Sequence, residues 1–289
     1  MEEGHQIERH LAVLQGNAGN PWQYRVLADY VVEGAILFVT TLNVSHPLAV
    51  AFLSVRFIQN VIVFLLAYSY YRRFGLSAAQ ALIGISLLAW GMTHAYYDSD
   101  LQFSNYFDII FYLLTGWLIL SNKPLWLIPV MALAALNRET SGLIPFMLLA
   151  SHFAAEGGRL KSKTTRVAAI AFAIYLLIFI ILRLSFGPQE LIIPQGHPPG
   201  KNLLKYNLLR TITWVQLFAT LGILPLLAIL AYRTWPHSLK AFFWVIIPIW
   251  FIVHMFASIV AETRLFLVPQ AVVFIPGALF LLKENNPGS

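Results

Sequence analysis

The chain is a succession of apolar runs that approach or exceed the roughly 20 residues needed to cross the hydrocarbon core of a bilayer. That feature limits the possible folds more than any other. Of the 289 residues, 58% are hydrophobic and only 11% charged, whereas a soluble domain is about a quarter charged. Inside lipid every backbone polar group needs an internal partner, so the runs are helices or the strands of a closed barrel. Barrel strands alternate in polarity over about ten residues, and these runs are longer and uniformly apolar. The sequence therefore predicts an all-α, polytopic integral membrane protein.

Seven full spans are expected at 47–70, 77–95, 105–121, 167–186, 212–232, 241–260 and 264–282. The stretch 124–154 is different. It is apolar on both sides of a polar interruption, "ALAALNRETSGLIPF" at 132–146. Lys and Arg collect in cytoplasmic loops close to span ends, and this bias tests how the stretch is folded. If 124–154 is a helical hairpin, Arg72, Arg73, Lys123, the run "RLKSKTTR" (159–166), Arg233, Lys240 and Lys283 all fall on one side. A single span would divide them, so a hairpin is expected. Each arm of about 14 residues reaches only ~21 Å at 1.5 Å per residue, short of the ~30 Å core. Its tip should then sit below the outer surface, in a protein cavity.

With this topology, Glu2, Glu3, Glu8, Asp29, Glu33, Asp98, Asp100, Asp108, Glu139, Glu190 and Glu262 lie toward the outer face, and only Glu156 and Glu284 toward the inner one. Residues 1–46 read as an outer interfacial segment of two helices around the turn-rich "GNAGNP" (16–21), and 47–289 as the transmembrane domain. The segment 187–211, with four prolines, reads as an outer loop long enough to form a lid. Its Lys201, Lys205 and Arg210 suit either a phosphate or lipid headgroup, or ordinary interfacial anchoring. Arg56, Gln59 and Asn60 share one helix face and read as an inter-helix seam. The absence of cysteine excludes disulfides and thiolate chemistry. The net charge of +6 is spread over loops and implies no nucleic-acid partner.

Polar groups at membrane depth usually face a cavity or a partner. The couplets Arg138–Glu139 and Glu262–Arg264 read either as structural ion pairs or as guanidiniums held toward an anionic group by a carboxylate. Asp98 and Asp100 read as a solvated turn or as catalytic or metal-binding carboxylates. His94 and His254 read as packing or capping residues.

Three stretches, "NPWQYRVLADYVV", "ALNRETSGL" and "ETRLFLVPQ", resemble segments of bacterial multi-span glycosyltransferases of the GT-C type, in matching order and sidedness. That resemblance implies a sugar donor linked to polyprenyl phosphate, used at the outer face of the bacterial plasma (inner) membrane. It implies phosphate contacts at Arg138 and Arg264 oriented by Glu139 and Glu262, and a place for Arg25 on the interfacial helix shaping the site. Lys201 and Lys205 are further candidates for the donor. The catalytic acid would be Glu3 or Glu8 (Glu2 beside them), with Asp98 and Asp100 as rivals. Such an acid acts as base or metal ligand, so the cofactor is open, a divalent ion such as Mg²⁺ or Mn²⁺ being admitted. In the class a span precedes the acidic loop, whereas this chain starts where that loop would. A non-catalytic membrane subunit with a membrane-protein partner, or a transporter or flippase component, are therefore kept as alternatives.

Overall fold

The computed structural model describes residues 2–95 and 102–283, with side chains from Gln6 onward. Among these residues the structure is helical, and the only strand-like pairing is one isolated bridge between Asn20 and Leu191. In chain order the helices are α1 (Glu2–Leu14), α2 (Val26–Thr41), α3 (Pro47–Arg73), α4 (Ala78–His94), α5 (Phe103–Leu120), α6 (Leu127–Asn137) and α7 (Ile144–Ala155). They continue with α8 (Ser162–Phe186), α9 (Lys201–Leu209), α10 (Thr211–Leu221), α11 (Leu224–Leu230) and α12 (His237–Ala257). A C-terminal helix, Thr263–Leu282, closes the chain.

Five of these are long and apolar enough to cross a membrane: α3, α5, α8, α12 and the C-terminal helix. The number becomes six if α10 and α11 count as one bent span. The sequence predicts seven full spans, and two of those differ in form from these five. The expected span 77–95 is α4, which at 17 residues is shorter than the others. The expected span 212–232 is broken by 65° between α10 and α11. Gly222 ends α10 at φ +57°, a left-handed conformation natural to glycine, and Pro225 restarts the chain in the first turn of α11. Averaged hydrophobicity passes over such a break. Gln270 fills it, donating through Nε2 to the Thr220 carbonyl at 3.2 Å at the end of α10.

The C-terminal helix is the axis of the bundle. Its apolar stretch is 89% buried, against 22% for α3 and α8, whose outward faces carry Leu53, Phe57, Leu65, Leu177 and Leu184 in the open. A π-helical turn at Gln270–Phe274 interrupts it, and carbonyls in such turns leave the regular ladder. Tyr71 and Tyr70 of α3 donate their hydroxyls to Ala271 and Val272 at 3.0 and 2.9 Å. Trp235 and Trp250 donate their indole N–H groups to the carbonyls of Gly277 and Leu265. Buried backbone groups need such partners, so α3 and α12 are keyed to the axis by hydrogen bonds as well as packing. The Tyr70 ring fits because Gly116 of α5 is bare; a β-carbon there would stand 2.5 Å from it.

The stretch 124–154 folds as a helical hairpin. α6 ends at Asn137 and the chain turns through extended Arg138 and a 3-10 turn at Glu139–Leu143. α7 then runs back along α8, with Phe146 against Phe172 and Gly142 against Tyr175. Both arms lean on α8, while α6 also contacts α5 and α7 contacts α12.

Candidate functional site

Polar side chains gather at the two ends of this bundle, and the richer set surrounds the hairpin tip. Asn137 and Arg138 face the first two turns of α5. Arg138 Nη1 lies 2.7 Å from Asp108 Oδ2, with both side chains 4% exposed. Arg138 Nη2 also donates to Asn105 Oδ1 at 2.7 Å. Asn137 Nδ2 donates to Asp108 Oδ1 at 2.8 Å and to the Ser104 carbonyl at 2.9 Å. Tyr112 and Tyr175 hold the turn itself, donating to the carbonyls of Thr140 and Glu139. Even so, Arg138 Nε, Asn105 Nδ2, Asn137 Oδ1 and Ser141 Oγ are buried and find no hydrogen-bond partner among the described residues.

Sequence proximity suggests that Arg138 pairs with Glu139; the structure separates them. The extended backbone at Arg138 sends neighbouring side chains to opposite sides, so Arg138 reaches α5 and Glu139 reaches the interfacial segment. Glu139 Oε2 accepts from Arg25 Nε and Nη2 at 3.1 and 3.0 Å, and Arg183 Nη2 approaches its other oxygen at 4.0 Å. Glu262 and Arg264 do pair with each other, at 2.6 Å. Trp22 links these pairs, with the guanidiniums of Arg9, Arg25 and Arg264 lying 4.6, 5.3 and 6.0 Å from its ring centre. A cation over an indole face is stabilised by the ring quadrupole, which lets three guanidiniums share one surface.

Beside Trp22 a pocket with about 40 Å³ of free volume opens between α1, α2, α3 and α5, lined by Arg9, His10, Arg25, Asp29, Gln102 and Ser104 among others. It has room for a few water molecules and not for a sugar. His10 bridges α1 to α2, its two ring nitrogens 3.3 Å from Asp29 and 3.1 Å from Glu33. Burial works against a charged ring here, but the two carboxylates outweigh it and hold the His10 pKa above its usual 6.5.

The structure thus brings Arg25, Arg138, Glu139, Glu262 and Arg264 to one end of the molecule. Lys201 and Lys205 stand apart from this cluster, on the exposed face of α9. Glu8 is exposed on α1. The side chain of Glu3, and Asp98 and Asp100 altogether, lie outside the described residues. No group of three or more His, Asp or Glu side chains among the described residues is arranged to hold a metal ion; Asp98 and Asp100, the carboxylates considered for one, are not among those residues. Of the expected seam, Gln59 donates to the Phe103 carbonyl at 3.1 Å and Arg56 stacks on Phe103 at 4.8 Å, whereas Asn60 donates back to the Arg56 carbonyl of its own helix at 2.9 Å.

Sequence reasoning singled out neither Asp108 as the partner of Arg138 nor Trp22, Arg183 and His10 as members of the cluster. Asn105 and Asp108 stand three apart at the start of α5, a spacing that puts both on one face; this was the readable signal. No protein-family model, curated protein or solved structure matches the chain.

Proposed function

We propose that the protein is a membrane-embedded glycosyltransferase of the GT-C type, transferring a sugar from a polyprenyl-phosphate donor at the outer face of the bacterial plasma membrane. The observation that carries the reading is the convergence at Trp22 of Arg9, Arg25 and Arg264, next to a hairpin tip where some buried polar atoms, Arg138 Nε and Asn137 Oδ1 among them, find no hydrogen-bond partner among the described residues. A donor of this kind keeps its apolar tail in lipid and its headgroup at the interface, and its leaving phosphate needs fixed positive charge. Arg25 and Arg264 are the guanidiniums for that phosphate. Glu139 and Glu262, 27% and 23% exposed, hold them in place and can turn outward when the phosphate takes over the guanidinium edges.

Arg138 serves differently on this reading. Paired with Asp108, it fixes the tip that presents Glu139. The base for the acceptor hydroxyl is a carboxylate near the pocket: Asp29 in its wall, or Asp98 or Asp100, which precede Gln102 in the chain. The outer face is assigned from charge. At the opposite end of the bundle, Arg73 and Lys123 share the Trp117 ring and Lys161 pairs with Glu156, as basic cytoplasmic loops do. On this assignment α4 and the bent α10–α11 pair also cross, giving seven crossings and one re-entrant hairpin.

The test is binding of polyprenyl phosphate, without sugar, to the detergent-solubilised protein. Arg25→Ala and Arg264→Ala should each weaken it by about ten- to a hundredfold, the worth of a hydrogen bond to a charged group. Unchanged affinity in both variants would sink the phosphate assignment.

A further inference from the structure

The cleft around α9 takes no part in the site at the hairpin tip, yet it collects positive charge at the same end of the molecule. The loop leading to it is tied to that end by backbone bonds from Asn20 to Glu190 and from Ile192 to Asn20. α9 itself is clamped where α12 meets the C-terminal helix. Asn207 Nδ2 donates to the carbonyls of Met255 and Ser258, and its Oδ1 accepts from the Val260 amide. This fixes one face of α9 and leaves the other open.

On the open face a cleft of about 470 Å³ is lined by His197, Asn202, Lys205, Tyr206, Leu209 and Arg210. No carboxylate lines it. The His197 ring stacks on Tyr206 at 4.0 Å, and the Arg210 guanidinium lies 5.2 Å from the same ring. Gln195 accepts from the Tyr206 hydroxyl and from Arg210, which fixes the cleft wall. Lys205 has no ion pair among the described residues. Leu209, 72% exposed, stands next to these cations, and α10 begins at Thr211 and leads into the apolar bundle. Cations beside an exposed leucine, at the entry of an apolar helix, match the boundary between headgroups and acyl chains.

We infer that this cleft seats the headgroup of an anionic glycerophospholipid, with Lys205 and Arg210 on its phosphate and Leu209 along the first part of an acyl chain. Chemistry sets the class: a phosphodiester supplies the negative charge the cleft lacks, and the acyl chain covers the leucine. The site is independent of the glycosyltransferase reading, and the two stand or fall separately.

The experiment is native mass spectrometry of the full-length, detergent-solubilised protein titrated with phosphatidylglycerol or with phosphatidylcholine of the same chains. The protein should retain phosphatidylglycerol preferentially. Lys205→Gln with Arg210→Gln should weaken phosphatidylglycerol retention by roughly 30-fold and leave phosphatidylcholine unchanged, taking each basic group near an anionic lipid at its ordinary worth. Lys205→Gln alone, expected at about fivefold on the same scale, serves if the double variant does not fold. Lys163→Gln with Arg166→Gln, at the N-terminus of α8, should retain the wild-type preference. Equal retention of the two lipids by the wild type, or a preference that survives the cleft variants, would overturn the inference. Displacement of phosphatidylglycerol by millimolar inorganic phosphate would also overturn it, since the cleft would then be a site for free anions.

Discussion

Arg138 is the residue on which the hairpin tip depends most. It is a guanidinium buried among apolar helices, 2.7 Å from a carboxylate as buried as itself. Removing one partner of such a pair strands the other charge, at a cost of about 3–5 kcal/mol, whereas replacing both with apolar groups is often close to neutral. Arg138→Ala should therefore lower the thermal unfolding midpoint strongly in detergent, and Asp108→Leu with Arg138→Leu should recover most of the loss. Additive losses in the double variant would show that the two side chains do not act as a pair. At this scale the sequence was half legible. The interruption "NRET" announces a polar site because nothing else would keep Arg and Glu inside an apolar run. Its partners were hidden because Asp108 lies on a different helix, and because one extended residue turns Arg138 and Glu139 apart.

Between elements, the attachment of α1 to α2 rests on His10, since both ring nitrogens stand within reach of carboxylates and only the protonated ring donates to both. Its folded pKa lies above the unfolded value of 6.5. The stabilisation is therefore fully present below that unfolded value and is lost as pH rises through the folded pKa. The wild type should be more heat-stable than His10→Gln at about pH 6, and the gap should narrow as pH rises above the unfolded value. A gap that is constant or widens with pH would mean that the neutral ring makes this contact. The elements themselves were readable where one signal dominated. The long apolar runs became α3, α5, α8, α12 and the C-terminal helix, and the short arms of the hairpin followed from their length. The break between α10 and α11 was carried by Gly222 and Pro225, two residues in a strongly apolar window. The π-helical turn in the C-terminal helix leaves no pattern at all, because the tyrosines that satisfy its carbonyls come from α3.

As a whole, the molecule is polarised. Arg25, Glu139, Arg183, Glu262 and Arg264 meet around Trp22 and the hairpin tip, and the basic loops lie at the other end. The proposed function requires the first end to face outward and the segment 124–154 to return to the side it came from. Because the chain has no cysteine, single cysteines report this directly. Lys123→Cys and Ser162→Cys mark the two feet of the hairpin, and Glu190→Cys marks the end tied to Asn20; all three positions are exposed. In intact cells treated with a membrane-impermeant maleimide, Glu190→Cys should be labelled, and the other two only after permeabilisation. Labelling of Lys123→Cys or Ser162→Cys in intact cells, or protection of Glu190→Cys, would contradict an outward-facing site at a re-entrant hairpin.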